Sequence, residues 1–590
     1  MKKRNQIAEE FKWDLSSLIK NDKEIEETFS IMENLVKILP TYSGKLGDKE
    51  KLLERLTKYT PDFIKIQKLG AYLGNSYNVD SSNVKILELN QRYSVVGTKL
   101  NQADSFFMPQ MYELSDEYLN SLLKDERFAD YDNLIKDIIK LKPHKLDEKT
   151  TELLAKMGSF LGNNENIHGI LTDSEMQFED AVDSKGKKHK VTNSTSAELL
   201  QSKDPVLRKS TFMSRMNAFK GLNKTFAELY IKDIELDKFN CELTNYKDLL
   251  TKQLLLNDIP KEVFDNIIKE TNNHIPLLQN YVKTQAKISK NKNFAYYDLF
   301  EDNKIGGKIS IEEAKSLILE ALAPLGEDYL AIAKRKLNDK TIDFLPNENK
   351  YSGAYCANCY GADTVILMNY LYDFNSVSTL IHELGHCVNA EYFIATQPFE
   401  KAEITIFAAE IASIVNEILL SQHLLKTATE KQKSYYLHKF LDDARSTIYR
   451  QVLFSEFELY AHQAIENEQP ITYANLNKCY ADLNKKYYGK SCKLPDELQY
   501  EWSRIPHFYT PYYVYAYATG MVTAITIASK LLTEKDFAEK YITFLKNGTN
   551  KNPVEMLKEI GIDLTTSAPY KTAFNFIEKQ LKEYKRLNKQ

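Results

Sequence analysis

The sequence has few helix-breaking residues, few cysteines and no long hydrophobic run. Its 590 residues include 16 prolines and 20 glycines, and this scarcity favours helices because both residues destabilise a helix interior. The six cysteines are scattered along the chain, which is typical of free thiols in a reducing compartment. No apolar stretch reaches the roughly 18 residues that a membrane-spanning helix needs.

The chain also lacks a large net charge of either sign. The formal net charge is −4, so the composition indicates neither nucleic acid nor an anionic membrane as a partner. The first residues, MKKRNQIAEEFKWDLSSL, are basic at the start but have no apolar segment after that, which does not fit a secretory signal. We therefore expect a soluble, cytoplasmic protein, and the sequence carries no sign of a particular oligomeric state.

Helical periodicity dominates the chain. The pattern of residues 1 to about 165 predicts successive amphipathic helices. No motif in this part of the chain predicts a catalytic or binding site. Two short alternating runs then flank Asp183-Ser-Lys-Gly186, which predicts a β-hairpin that we take as a domain boundary. Helical periodicity resumes at about residue 195 and is interrupted by a β-rich run, Thr364 to Met368, which predicts a strand.

Cys356 and Cys359 form a C-x-x-C pair. A structural zinc site of this kind needs a second pair of ligands, and the sequence offers none nearby. A redox C-x-x-C should open a helix after a strand in a βαβ unit, which the surrounding pattern does not predict. We therefore favour neither function for this pair.

The segment LIHELGHCVN carries the strongest chemical signal. His382 and His386 are four residues apart, so on a helix they lie on one face and can bind one metal ion. Glu383 can reach a water molecule on that ion without being a ligand. Two histidine ligands and a glutamate that acts on the bound water are what the H-E-x-x-H motif supplies. The alternative is two histidines on the surface of an ordinary helix. Because the chain has only ten histidines, an accidental match to this motif is rare.

A catalytic zinc needs a third protein ligand and an open position for water. The next predicted helix carries Glu403, Glu410 and Glu417 at seven-residue spacing. Glu410 lies among apolar and small residues, where a carboxylate is costly unless it meets a charge. We predict that Glu410 is the third ligand and that Glu417 orients a histidine ring.

These segments resemble the M3 metallopeptidases, and most closely their oligoendopeptidase F branch. The resemblance rests on HELGH and FAAEIASIVNE, and on four other stretches. Those stretches are FKWDLSSL near the start, LLLNDIP at 254–260, SGAY before the motif and IPHFYTPYYVYAYATG at 505–520. In that family the motif histidines and a glutamate of the AEIAS-like segment bind zinc, which here implies His382, His386 and Glu410, with Glu383 as the general base. The family often has a further histidine where this chain has Asn389.

The resemblance also implies the architecture. We expect a mainly α fold, a two-lobed helical body around a deep substrate channel, with a small β-sheet beside the zinc helix. We predict an N-terminal helical domain of residues 1–190 that ends in the hairpin, and a catalytic domain of residues 191–590. Such a protein would hydrolyse internal peptide bonds of oligopeptides with one zinc ion per chain.

The segment RIPHFYTPYYVYAYATG predicts a loop followed by a helix, with Thr510 as the N-cap and Pro511 as the first helical residue. Its tyrosines either pack in the core or contact substrate. In the M3 family the matching loop supplies a histidine and tyrosines that contact the substrate. We predict catalytic roles for His507, Tyr515 and Tyr517, and substrate binding by Tyr512.

The segment YSGAYC predicts an exposed strand edge that can pair with an extended peptide. Gly353 and Ala354 would allow that peptide to approach closely, whereas the alternative is a simple buried turn.

Two other functions stay open. A zinc carboxypeptidase or dipeptidase would need a group that captures the peptide terminus, which the sequence does not reveal. A non-catalytic peptide-binding module is disfavoured because every residue of the zinc site is intact.

Overall fold

The computed structural model describes residues 1–158, 161–302 and 307–589. The chain forms two compact units, and each unit combines three separate stretches of sequence. The first unit consists of Met1–Lys145, Gly306–His423 and Lys530–Gly561. The second consists of Leu146–Ile305, Leu424–Ser529 and Ile562–Gln590. The predicted domains, 1–190 and 191–590, stay a prediction.

α-Helices make up most of both units, so the predicted mainly α fold is confirmed. The helices of the first unit are Asp22–Ile38, Lys49–Thr57, Thr60–Val79, Val84–Ala103, Phe107–Glu113, Asp116–Leu122, Asp132–Leu141, Ile311–Ala321, Glu327–Asn338, Phe374–Thr396, Phe537–Leu545, Pro553–Glu559 and Ile406–Thr427, which begins in this unit. Those of the second unit are Glu148–Met157, Asn164–Gly169, Asn193–Leu200, Pro205–Gly221, Asn223–Leu243, Leu249–Leu256, Lys261–Asn273, Ile275–Ile288, Glu430–Ala444, Arg450–Glu466, Tyr473–Tyr488, Ala568–Leu587 and Tyr515–Thr533, which begins in this unit. No described helix is both long enough and apolar enough to cross a membrane.

The described strands are short. They are β1 (Ala181–Val182), β2 (Lys188–His189), β3 (Ile342–Asp343), β4 (Tyr355–Ala357) and β5 (Val365–Leu367). β1 and β2 form the predicted antiparallel hairpin, and Gly186 in its turn has a φ of +79°, a left-handed conformation that glycine adopts without strain. In the first unit the strands are ordered β3-β5-β4, with β5 parallel to β3 and antiparallel to β4.

The first residues of the chain support this three-stranded sheet. The N–H of Asp14 donates to the carbonyl of Lys340, and the N–H of Phe344 donates to the carbonyl of Phe11. The ring of Trp13 joins a buried cluster with Val365 of β5. The FKWDLSSL segment therefore covers the sheet and stabilises it.

The sheet in turn packs against the helix Phe374–Thr396, which we call the motif helix because it contains HELGH. Lys336 is fully buried between them and pairs with Glu391 of the motif helix (2.7 Å) and with Asp363 before β5 (3.2 Å). The hydroxyl of Thr364 donates to Glu391 as well, at 2.9 Å. This buried network fixes the motif helix against the sheet, as predicted for the zinc helix.

Candidate metal centre and aromatic cluster

The motif helix presents both histidines on one face. Its N-cap is Asp373, whose carboxylate accepts from the N–H of Ser376 at 2.9 Å. The apolar residues on the remaining surface of the helix are fully buried in the first unit, among them Leu380, Ile381, Leu384 and Val388. The two Nε2 atoms of His382 and His386 lie 3.2 Å apart, close enough to share one ion.

A second helix, Ile406–Thr427, brings a carboxylate to the same point, and we call it the glutamate helix. Oε2 of Glu410 lies 3.3 Å from Nε2 of His382 and 3.6 Å from Nε2 of His386. Within the described residues, these three side chains form a cluster that could hold a metal ion. The structure thus brings together the three predicted ligands.

The spacing of these atoms fits zinc. Bonds of about 2.0–2.1 Å in a tetrahedral site place neighbouring ligand atoms about 3.3–3.4 Å apart. The three observed separations of 3.2, 3.3 and 3.6 Å surround that value. Imidazole nitrogens and a carboxylate oxygen are ligands that zinc accepts, and three of them leave a fourth position open for catalysis.

Glu417 holds the ring of His382 from the other side. One of its carboxylate oxygens forms a short hydrogen bond with Nδ1 of His382. Burial lowers the pKa of His382, but the hydrogen bonds to Glu410 and Glu417 outweigh it and raise that pKa to about 10. Burial lowers the pKa of His386 to about 4, helped by the charge of His382. The contact with Glu417 at Nδ1 leaves Nε2 of the His382 ring facing Oε2 of Glu410.

Two details of the predicted glutamate helix differ in the structure. The glutamate helix begins at Ile406, so Glu403 lies outside it and is exposed. The side chain of Glu410 is 42% exposed rather than buried among apolar residues. Glu410 faces an open cleft, and the histidines explain its charged state because their hydrogen bond and charges lower its pKa to about 2.

Gly385 allows the two helices to meet. A Cβ at this position would lie 2.6 Å from the Cα of Ser413 and 2.8 Å from the carbonyl oxygen of Ala412. Both atoms belong to the backbone of the glutamate helix, so a side chain could not be accommodated by a rotamer change. The motif's glycine therefore determines how closely Glu410 approaches the histidines.

Replacing Gly385 with Ala should force the helices apart. We expect a loss of about 1–3 kcal/mol in the free energy of unfolding, the usual range for overpacking, together with weaker zinc binding. Denaturant unfolding and zinc titration measure the two effects. The matched control is Gly97→Ala, because a Cβ there meets no atom within 4 Å and should stabilise the helix by up to about 1 kcal/mol. Equal zinc affinity in the Gly385 variant and the wild type would contradict this role.

Glu383 lies beside the proposed ligands and is 8% exposed. Burial raises the pKa of its carboxyl group, while the charge of His382 and a hydrogen bond from the N–H of Cys356 act in the opposite direction. A carboxylate with a raised pKa takes up a proton more readily than an exposed one. This is the property that a general base next to the metal position needs.

A cleft of about 340 Å³ contains these groups, a volume typical of small binding sites. Ala354 and β4 form one wall, and Asn389 lies in the lining as well. Gly353 is not among the lining residues. It packs against the ring of Tyr351, and a Cβ added to Gly353 would lie 2.6 Å from a carbon of that ring. In the described chain β4 pairs with β5 alone, so it is an edge strand of this sheet.

The C-x-x-C residues do not act as a pair. The thiol of Cys356 forms a hydrogen bond with the thiol of Cys387 on the motif helix. The thiol of Cys359 instead contacts Oε1 of Gln67 at 3.6 Å. The six cysteines are free thiols, and the structure is consistent with packing roles for these three.

The tyrosine segment lies in the second unit, and its helix begins at Tyr515 rather than at Pro511. Three rings form what we call the aromatic cluster: His507, Tyr513 and Tyr517. Their centroids are 5.2 to 6.2 Å apart, and the hydroxyl of Tyr517 lies 3.4 Å from Nε2 of His507. The sequence predicts that Tyr513 and Tyr517 share a helix face because they are four residues apart, but we assigned no function to Tyr513.

Tyr512 and Tyr515 point elsewhere. Both pack edge-on against Phe264, with centroids 5.9 and 5.2 Å away, and both are buried. Tyr512 has a left-handed backbone with a φ of +53°, and its N–H donates to the buried carboxylate of Glu458 at 2.5 Å. This turn precedes the helix, and Tyr512 and Tyr515 pack on Phe264 rather than in the aromatic cluster.

The chain is similar to known peptidases over almost its whole length. The model of Peptidase family M3 matches residues 198–576, and a model named Oligopeptidase F matches residues 111–178. Oligopeptidase PepF of Bacillus subtilis is 34% identical over 590 residues, covering 99% of this chain and 88% of that protein. An oligoendopeptidase F homolog of Borreliella burgdorferi is 33% identical, with 99% of each chain covered. The crystal structure of oligoendopeptidase-F from Enterococcus faecium has a TM-score of 0.72 and 28% identity, covering 96% of this chain and 99% of that one.

Proposed function

Because this chain belongs to peptidase family M3, we propose that it is a zinc-dependent endopeptidase that hydrolyses internal peptide bonds of oligopeptides. The observation that carries this proposal is the triangle of His382, His386 and Glu410 with Glu383 beside it in one cleft. The cytoplasmic location expected from the sequence stays a prediction.

Each residue of the cleft has a defined task in this proposal. His382, His386 and Glu410 would hold the zinc, and Glu417 would keep the ring of His382 in its ligating orientation. When bound, zinc supplies a Lewis acid that polarises the scissile carbonyl and lowers the pKa of a water molecule. Glu383 accepts the proton of the attacking water and passes it to the leaving nitrogen.

The edge of β4 would position the substrate. An extended peptide that pairs with β4 would form backbone hydrogen bonds, which depend little on its sequence. Ala354 lines the cleft next to this edge and its small side chain leaves room for the peptide, whereas Gly353 would act indirectly through the ring of Tyr351. Sequence-independent pairing suits an enzyme that takes many oligopeptides.

A peptide blocked at both ends distinguishes the proposed endopeptidase from its alternatives. An oligopeptide with an acetylated N terminus, an amidated C terminus and an internally quenched fluorophore should be cleaved at an internal bond. A carboxypeptidase or dipeptidase would leave this peptide intact and would need free termini. A non-catalytic module would bind it without cleavage, and mass spectrometry of the products separates the three cases.

We further propose that His507 stabilises the oxyanion of the tetrahedral intermediate, with Tyr517 as its partner in the aromatic cluster. Such a group acts on the transition state and not on the bound substrate. Changing His507 to Ala should therefore lower kcat and kcat/KM together by about a hundredfold or more, with KM nearly unchanged. Steady-state kinetics on the quenched peptide measures this.

The tyrosines provide internal controls for that experiment. Tyr517→Phe should lower kcat if its phenol reaches the oxyanion, and Tyr515→Phe tests the same role for a tyrosine that is buried against Phe264. If a tyrosine has only a structural role, its replacement by Phe should lower the melting temperature and leave the rate per folded molecule unchanged. If His507→Ala raises KM alone, the residue binds substrate and the assignment of an oxyanion role is wrong.

A further inference from the structure

One nearly buried amide in the cleft of the proposed zinc ligands has no partner in the protein. Asn389 lies on the motif helix, is 4% exposed and lines this cleft of about 340 Å³. Among the residues that the structure describes, its side chain forms no hydrogen bond. Neither of its amide atoms is sealed from solvent, so the small surface that Asn389 exposes presents an unpaired amide to the cleft.

Packing alone does not explain an asparagine at this position. Nearly all buried polar groups in folded proteins form hydrogen bonds, and an unpaired one destabilises the folded state. Leucine has a similar size and no polar atoms, so it would fill the same space without that cost. An amide that is unpaired in the free protein and faces a cleft is explained by a ligand that pairs with it.

Asn389 continues the face of the motif helix that carries the two histidines. At about 100° per residue, positions 382, 386, 389 and 393 fall within about 60° of one another, and all four side chains line the cleft. A rise of about 1.5 Å per residue places Asn389 about 4.5 Å along the helix from His386. One residue of an extended peptide spans about 3.3 Å, so a backbone group that reaches Asn389 belongs to a residue next to the scissile bond.

The other side chains around Asn389 in the cleft are apolar. Ala390, Phe393 and Ile404 line the cleft and pack together in one hydrophobic cluster. A substrate amide that entered these surroundings without a partner would lose its hydrogen bonds to water. The side chain of Asn389 can replace those bonds, because its oxygen accepts and its nitrogen donates.

We propose that Asn389 binds a backbone amide of the oligopeptide substrate next to the scissile bond. This inference rests on the proposed function, since it names a residue that positions the substrate at the proposed zinc. The contact involves only the substrate backbone, so it holds the scissile bond beside the metal position without selecting a particular sequence. It also assigns a role to the position where the family often has histidine, a residue that likewise offers a donor or an acceptor.

The test asks whether Asn389 and a substrate backbone group depend on each other. The scissile bond of a doubly blocked peptide is first located from the products of the wild type. Two analogues then carry an ester in place of the amide bond before or after the scissile bond, because an ester has no N–H and a weaker acceptor. Dissociation constants are measured by fluorescence titration with zinc-loaded, full-length Glu383→Gln, in which turnover is slow.

We expect at least one ester to bind about three- to tenfold more weakly than the peptide, the usual range for one neutral hydrogen bond. Adding Asn389→Leu or Asn389→Ala should remove this difference, and Asn389→His should restore part of it. The melting temperature of Asn389→Leu should equal or exceed that of its parent, because the amide has no protein partner to lose. Zinc titration checks that each variant still binds the metal.

The matched control is Asn375→Leu, because Asn375 is an exposed asparagine of the same helix and does not line the cleft. It should keep the full difference between peptide and ester. An ester penalty that is unchanged in both Asn389→Leu and Asn389→Ala would overturn the inference. A lower melting temperature of Asn389→Leu with an unchanged penalty would assign Asn389 a structural role instead.

The same peptide separates this inference from the proposed function. If the wild type forms no internal cleavage product, the proposed function is wrong and the inference falls with it. If products form while the ester penalties do not depend on Asn389, the inference alone is wrong.

Discussion

Changing Glu383 to Gln should leave the zinc in place and lower kcat by about a hundredfold to ten-thousandfold. The amide has nearly the same shape as the carboxylate, but it cannot accept the proton of the attacking water. Glu383 is largely buried beside the proposed ligands, and its pKa is raised chiefly by burial. Zinc content and steady-state kinetics are measured on the same preparation.

The control for this experiment is Glu403→Gln, because Glu403 is an exposed acid outside the glutamate helix. It should keep both the metal and the full rate. A Glu383 variant that retains more than about a tenth of the wild-type kcat would remove this residue from the role of general base. A Glu383 variant that loses its zinc would show that the carboxylate supports the metal site instead.

Replacing His386 or Glu410 with Ala should abolish zinc binding and, with it, peptide hydrolysis. Each substitution removes one of three ligand atoms that lie 3.2 to 3.6 Å from one another, and two ligands do not hold zinc tightly. Glu417→Ala should lower the zinc affinity by about 10- to 100-fold, the usual cost of losing a partner that orients a ligand. Metal analysis after dialysis gives the number of zinc ions per chain.

Glu403→Ala is again the matched control and should bind one equivalent of zinc. If Glu410→Ala keeps its zinc while Glu417→Ala or Glu403→Ala loses it, the choice among the three glutamates was wrong. If His386→Ala retains one equivalent, the metal lies at some other place.

The sequence predicted the cluster of His382, His386 and Glu410 because its main feature is local. Two histidines four residues apart on a helix share a face whatever the tertiary structure is. Glu410 does lie in this cluster, and its side chain is 42% exposed to the cleft. The contact depends on Gly385, whose neighbour Ser413 lies on another helix, and no local pattern identifies such a pair.

Helix starts were predicted less well, because tertiary contacts decide them. Pro511 suits a first helical position, yet the segment makes a left-handed turn at Tyr512, whose N–H donates to Glu458 from the helix Arg450–Glu466. That distant carboxylate holds the turn, and the helix starts at Tyr515 instead of Pro511.

Helical periodicity in the sequence could not predict the two compact units either. Each unit collects three stretches that are far apart in sequence, while helical patterns report only which face of each helix is buried.

The most direct test of the central claim is a zinc titration of the metal-free protein. Chelator-treated wild-type protein should be inactive on the doubly blocked, internally quenched peptide, and activity should return in proportion to added zinc up to one equivalent per chain. The same titration of Glu410→Ala should restore no activity. Activity that survives complete removal of the metal, or a titration that ends at a stoichiometry other than one, would contradict a single catalytic zinc held by His382, His386 and Glu410.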